Sequence, residues 1–470
     1  MKIPASYCTE PFEKLYIEKE QERHGSRGTL HFRSVVEDHV FYDENGNPEA
    51  VINTISYIKE SERGETKERP VLFFWNGGPG SATSTLQLEC FGPWQMKFDG
   101  REQPTSELTE EEECLLDVCD LVFVDPVGVG FSRLLQESAA DRYWSLEWDA
   151  RSNAFAVTDW IKTHSRWNSR IFLCGESYGT VRVCRILEEL GRNPMKGNRM
   201  MLGIQISGVI LIGLALSLNA KGSIIDEKLD LLTAALPSMA AVYWYQNLQG
   251  TCELRTFVEK AWRFAGEELQ PALFLGDACS EEQVKAIAGR LEHFTGMKAS
   301  YFEQTGLKLG KIEDFMVQVA AGKGLRVDLY DGRKTQSLSS SYNVVGNGNV
   351  PIRIMNGSLA KKLGVNGNRL YYTGNINVND TWSMKTSDGM SPMECLTSAM
   401  ERMPDMQVLT ASGLYDLCTL VGNTRYLFSH SGVKGKRLVN REYAGGHGVY
   451  STKEGKAEFL LDVRTMIENE

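Results

Sequence analysis

A serine held in Gly175-Glu176-Ser177-Tyr178-Gly179 carries the first chemistry that this sequence offers. The apolar run Ile171-Phe172-Leu173-Cys174 leads into the pentapeptide, and helix-like residues 180–190 follow it. A serine at the tip of such a strand-to-helix turn is held in a strained backbone conformation that lifts its hydroxyl clear of the sheet. The positions two before and two after it then lack room for a side chain, a demand that Gly175 and Gly179 meet. The Tyr178 N–H can face an oxyanion developing on an attacked carbonyl. A serine hydroxyl also needs a base. Asp416 and His447 each follow a strand-like run, in Ser412-Gly413-Leu414-Tyr415-Asp416 and Ala444-Gly445-Gly446-His447-Gly448. Taken singly, a strand-end aspartate caps a turn and a loop histidine sits at a surface. In the order Ser177, Asp416, His447 they can act together: His447 takes the serine proton and returns it to the leaving group, and Asp416 fixes the ring tautomer.

Three such residues need a sheet whose strands end at one rim. Residues 15–59 alternate in polarity around the turn-rich Asp43-Glu44-Asn45-Gly46-Asn47-Pro48, which predicts antiparallel hairpins at a sheet edge. The charged residues 60–68 read as a solvated loop. Pro70-Val71-Leu72-Phe73-Phe74-Trp75 is apolar throughout, as a strand buried on both faces requires. It runs into Asn76-Gly77-Gly78-Pro79-Gly80, a turn with bare backbone N–H groups. A phosphate-cradling loop would need a following Lys-Ser/Thr or Gly-x-Gly-x-x-Gly spacing, and neither is present. A second oxyanion donor is the better reading. Residues 121–125 and 206–213 give further buried strands, and residues 144–164 give a helix that crosses back over the sheet. This alternation predicts a doubly wound, mostly parallel sheet with antiparallel N-terminal strands, the α/β-hydrolase fold.

The rhythm breaks after Asn219. Helical patterns at 238–248, 254–266, 281–294 and 311–321 predict a mostly helical lid, residues 220–347, without a buried strand. It would interrupt a core formed by residues 1–219 and 348–470. Tyr243, Trp244 and Tyr245 are assigned to packing within the lid rather than to a pocket. Strands at 407–411 and 436–443 and a helix at 453–467 complete the core.

Hydrophobic residues make up 42% and charged residues 24% of the 470, as in ordinary globular proteins. A net charge of −10 argues against nucleic acid or an anionic membrane as partner. The longest apolar run, residues 209–218, is too short to span a bilayer. Residues 1–10 have no apolar stretch of signal-peptide length, so a cytoplasmic location is expected unless a leader was removed. The ten cysteines lack metal-ligand spacing and are expected as reduced, mostly buried thiols. No metal and no cofactor is called for. A homodimer is compatible with the sequence.

Taken together, Asn76-Gly77-Gly78-Pro79-Gly80-Ser81, Val124-Asp125-Pro126-Val127-Gly128-Val129-Gly130-Phe131-Ser132, Gly175-Glu176-Ser177-Tyr178-Gly179, Tyr415-Asp416-Leu417 and Gly446-His447 resemble the serine carboxypeptidase family. The likeness is strongest to bacterial members, in which Gly-Thr and an Arg follow the elbow tyrosine as Gly179, Thr180 and Arg182 do here. The resemblance implies removal of C-terminal residues from peptides through an acyl-enzyme. It implies Ser177 as nucleophile, His447 as base, Asp416 as orienter, Gly78 and Tyr178 as oxyanion donors, and Asn76 and Glu176 as holders of the substrate carboxylate. Two carboxylates side by side repel unless they share a proton, so Glu176 should have a raised pKa and peptidase activity should favour acid pH. The sequence departs from eukaryotic members at several points. Cys90 stands where they place a second Glu, with Glu89 one position earlier. Phe74 stands two before Asn76, where they have Trp, and Ser81 replaces a disulfide Cys. An esterase or acyltransferase would use the same triad, and a non-catalytic binding or scaffold protein could keep the same fold.

Overall fold

A computed structural model describes residues 11–25, 28–59, 69–99, 104–110, 114–191, 203–216, 233–339, 349–367, 369–433 and 435–469. The first strands, β1 (Tyr16–Gly25), β2 (Gly28–Tyr42) and β3 (Pro48–Lys59), form an antiparallel meander. Asp43 closes its second turn by accepting from the Asn45 and Asn47 N–H groups. Next come β4 (Val71–Trp75), the separate hairpin of β5 (Trp94–Phe98) with β6 (Pro104–Glu110), then β7 (Asp120–Asp125) and the short β8 (Arg133–Leu134). After β9 (Ile171–Glu176) and β10 (Ile206–Ile212), a small hairpin joins β11 (Leu325–Val327) to β12 (Thr335–Ser337). β13 (Gln407–Gly413) and β14 (Leu438–Tyr443) come last.

The main sheet has ten strands in the order β1-β2-β3-β7-β4-β9-β10-β13-β14, with β8 paired to β3. From β7 to β14 all pairings are parallel. This is the α/β-hydrolase arrangement that the alternating strands and helices predicted. Every residue of β4, β7 and β9 is buried, because helices cover both faces. On one face Phe73, Trp75, Val122 and Leu173 pack with Val157 and Trp160 of the helix Leu146–Thr163, and with Val183 and Leu187 of the helix Tyr178–Gly191. On the other, Leu72, Phe74 and Phe123 pack with Phe459 and Val463 of the C-terminal helix Lys453–Glu468. Successive β4 side chains thus serve opposite layers, as strand geometry dictates. The sheet's two edges, β1 and β14, are largely exposed and carry charge, with Glu18, Lys19, Glu20 and Glu22 on one and Arg441 and Glu442 on the other.

Between β10 and β13 lie the helices Leu236–Tyr243, Leu254–Phe264, Glu281–Thr295 and Ile312–Gln318. They share a core that includes Phe257, Ala261, Leu291, Phe294 and Phe315. Leu414, Tyr415 and Leu417, which flank Asp416, belong to the same cluster. Two details differ from the sequence reading. The helix expected over 238–248 starts at Leu236 and changes to π winding over Trp244–Leu248. The hairpin of β11 and β12, largely unburied, adds two short strands to a segment read as mostly helical, its strands being too short to show a period of two. Tyr243, Trp244 and Tyr245 pack against the insertion's core, and the Tyr245 ring meets Tyr415 edge-on at 5.3 Å. The loop expected over 60–68 and the lid boundaries at 219–220 and 347–348 lie outside the described residues. Among the described residues, no helix is long and apolar enough to cross a membrane.

Candidate active site

Ser177 sits between β9 and the helix that begins at Tyr178, and its φ of 58° lies in the left-handed region that a non-glycine residue rarely adopts. The glycines around it are sterically required. A Cβ on Gly175 would collide with the Gly179 carbonyl, and one on Gly179 would lie 2.5 Å from the Trp75 carbonyl oxygen. The Ser177 N–H donates to the Ile212 carbonyl at 2.9 Å, and Thr180 Oγ1 donates to the Ser177 carbonyl at 2.7 Å. The turn is therefore tied to the end of β10 and to its own helix.

Asp416 and His447 stand beyond the ends of β13 and β14. His447 Nδ1 lies 2.8 Å from Asp416 Oδ2. The Asp416 carboxylate is fully buried and accepts from the Cys418 and Thr419 N–H groups at 2.7 and 3.1 Å, and also from the Thr419 hydroxyl. With Nδ1–H directed to this anchored carboxylate, Nε2 is the nitrogen free to take a proton. Burial opposes protonation of His447, but the Asp416 charge and hydrogen bond, helped by the Glu176 charge, outweigh it and raise the imidazole to about 8. The ring packs on Gly213, where a Cβ would lie 3.1 Å from His447 Cε1. Gly213 follows Ile212, whose carbonyl holds the Ser177 N–H, so the serine turn and the imidazole meet at one corner of the sheet.

The turn after β4 closes over the same corner. A Cβ on Gly77 would lie 2.7 Å from the Tyr178 nitrogen and 2.8 Å from Ser177 Cβ, so only glycine lets this backbone approach the serine. Gly78 has φ of 109°, also a glycine conformation. Tyr178 is the first residue of its helix, so its N–H lies outside the intrahelical ladder. Asn76 Oδ1 accepts from the Leu86 N–H at 3.0 Å, which fixes the amide and leaves its NH₂ end as the donor.

Glu176 is buried and accepts from the Tyr450 hydroxyl. Burial raises its pKa against the His447 charge and that hydrogen bond, with the Asp416 charge adding to the rise. Glu89 joins it. Residues Leu86–Phe91 are wound as a π-helix, closed by the Gly92 N–H bonding to the Gln87 carbonyl at 3.0 Å. Burial and the Glu176 charge push the Glu89 carboxyl up to about 7, against the opposing charges of Lys334 and Lys456. The acid at 89 thus takes part in the site although Cys90 holds the position that the motif predicts. The π turn behind this has no sequence signal. Sequence reading also missed Thr419 and Tyr450, although Thr419 stands three residues after Asp416 and Tyr450 three after His447.

A family model described as serine carboxypeptidase matches residues 55–461. Serine carboxypeptidase ctsa-3.2 of Caenorhabditis elegans is 28% identical over 142 residues, which are 29% of this chain and 26% of that protein. Serine carboxypeptidase-like 13 of Arabidopsis thaliana is 28% identical over 165 residues, 35% of this chain and 36% of that one. The aligned stretches thus span well under half the length of these curated relatives. Among solved structures, the Kex1 prohormone-processing carboxypeptidase of Saccharomyces cerevisiae superposes with a TM-score of 0.56 at 14% identity, covering 93% of this chain and 90% of that one. At that identity the superposition speaks for the fold.

Proposed function

The chain belongs to the serine carboxypeptidase family, and on that premise we propose that it removes C-terminal residues from peptides through an acyl-enzyme on Ser177. One observation carries this reading: a histidine held by a buried aspartate at 2.8 Å, packed against the corner where the strained serine turn is tied. In the proposed sequence, Ser177 Oγ attacks the last peptide carbonyl while His447 Nε2 takes its proton. The N–H groups of Gly78 and Tyr178 receive the oxyanion. His447 then protonates the departing amine, and water, activated by the same imidazole, releases the acyl group. The substrate carboxylate meets the Asn76 amide and the acids Glu176 and Glu89, whose raised pKa values let a proton be shared among three carboxyl groups.

The test compares a blocked dipeptide, its C-terminal amide and the corresponding ester. A carboxypeptidase cleaves the free acid and loses most of its activity on the amide. Comparable turnover of the acid-free ester and none of the dipeptide would instead assign an esterase or acyltransferase. Labelling of Ser177 by a fluorophosphonate separates both from a non-catalytic protein. A reducing, cytoplasmic location is proposed on the free thiols among the described cysteines, and imaging of the tagged chain tests it. A nearer likeness to bacterial members is proposed on Gly179, Thr180 and Arg182 alone, whereas the relatives and the solved structure described above are from worm, plant and yeast. Sedimentation of the purified chain tests the homodimer.

A further inference from the structure

The turn between β11 and β12, residues 328–334, belongs to the insertion, yet it bonds to the loops of both Asp416 and His447. On the aspartate side, the Gly332 N–H donates to the Tyr415 carbonyl at 2.9 Å and the Leu417 N–H donates to the Leu329 carbonyl at 3.1 Å. The two neighbours of Asp416 are therefore each held by the turn. On the histidine side, the His447 N–H itself donates to the Tyr330 carbonyl at 2.6 Å, and the Tyr330 ring lies 5.3 Å from the imidazole. Arg333 spans the gap between the two loops. Its Nη1 donates to the Ala444 carbonyl and its Nη2 to Ser451 Oγ, each at 3.0 Å, and its guanidinium lies 5.3 Å from the Tyr415 ring centre.

Arg333 is itself held in a fork. Asp331 accepts from its Nε at 2.8 Å and its Nη2 at 2.7 Å, and the aspartate is buried with its Cβ close to Gly446. A bidentate Arg–carboxylate pair fixes a guanidinium in direction as well as position. A Cβ on Gly446 would lie 2.5 Å from the Tyr330 carbonyl oxygen and 2.7 Å from Asp331 Cβ, so the contact is backbone-close. Behind the turn, Gln246 Nε2 donates to the Gly332 carbonyl at 2.9 Å, which connects it to the insertion's helices.

We infer that Asp331 and Arg333 are positioning residues for the reaction: they clamp the Asp416 and His447 loops together, so the insertion sets the geometry of the acid–base pair. Asp416 and His447 follow different strands and lie 31 positions apart in sequence. A misplacement of about 1 Å between groups that must hand over a proton costs about 10²-fold in rate. The inference rests on the reading of this pair as the catalytic base and its orienter.

The full chain carries the test, with Arg333→Met and Asp331→Asn as clamp variants and Glu253→Ala as control. Glu253 caps the helix Leu254–Phe264 by accepting from the Arg255 and Thr256 N–H groups at 2.9 and 2.6 Å, so its loss loosens the insertion without touching the turn. The expected result is a fall of about 10²-fold in kcat on an ester substrate for both clamp variants, with KM held. The His447 imidazole, followed by NMR, should titrate below the wild-type value as its contact with Asp416 loosens. Arg333→Lys should restore part of the rate. Glu253→Ala should lower the melting temperature while leaving kcat and the titration in place. If the clamp variants melt early but keep the wild-type kcat and His447 titration, the turn is only structural and the inference falls. A wild-type chain that hydrolyses neither ester nor peptide would refute the functional reading instead, and the imidazole titration would still report on the clamp.

Discussion

The side chains around Ser177 make opposite demands on pH. His447 must be neutral to act as base, and its pKa is raised to about 8 in part by the Glu176 charge. Glu89, pushed up to about 7, and Glu176, also raised, must keep a proton if a substrate carboxylate is to sit beside them. Substrates without a free carboxylate should therefore gain rate as pH rises through the His447 pKa. Free-acid peptides should lose kcat/KM as pH rises through about 7. Once protonated, Glu176 no longer adds its charge to the rise that the Asp416 charge and hydrogen bond lead, so His447 titrates somewhat lower. Parallel pH–rate profiles for an ester and a dipeptide check this, and coincident profiles would refute it. Glu89→Gln and Glu176→Gln mimic the protonated acids and should carry dipeptide hydrolysis to higher pH. A wild-type profile in both variants would remove these residues from carboxylate recognition. Thr419→Val removes a donor to Asp416 and should lower kcat about tenfold, as the loss of one hydrogen bond of about 1.4 kcal/mol predicts.

At the level of elements, the site depends on backbones that approach closely. Gly77→Ala places a methyl group 2.7 Å from the Tyr178 nitrogen, in front of the N–H proposed to receive the oxyanion. We expect a loss of 10²–10³-fold in kcat, about the cost of deleting one oxyanion donor, together with a lower melting temperature, because the methyl group meets buried backbone. A rise in KM with kcat unchanged would argue that the turn binds substrate instead. How much of this was legible follows from length and period. β4 and β9 announce themselves as unbroken apolar runs because both their faces are covered, and the glycines of the elbow are sterically specific. β11 and β12, at three residues each, have no period to read. Leu86–Phe91 takes a π winding that has no signal in composition, and Glu89 there feels the Glu176 charge although Cys90 holds the motif position. Contacts between distant segments, such as Arg333 with Ala444, are beyond any local pattern.

For the molecule as a whole, two layers of helix and an insertion converge on one corner of the sheet, and a buried ion pair braces that corner from beneath. Arg182 of the elbow helix donates from Nε to Asp149 Oδ2 and from Nη1 to the Asn76 carbonyl, both at 2.7 Å, and both side chains are buried. Removing one partner strands the other charge, so Asp149→Leu should destabilise the fold by about 3–5 kcal/mol in denaturant unfolding. The double change Asp149→Leu with Arg182→Met should recover much of that loss, and a double variant no more stable than the single would refute the account. The charged rims of the sheet have a different kind of consequence. A strand with unpaired N–H and C=O groups invites another chain to add to it, and here the inviting edges carry ionised side chains of both signs. Docking a foreign strand on β1 would strip water from Glu18, Lys19, Glu20 and Glu22 in succession. The sheet is thereby kept from growing into fibres, and a chain with valine or threonine at Lys19, Glu20 and Glu22 should precipitate at concentrations where the parent stays clear.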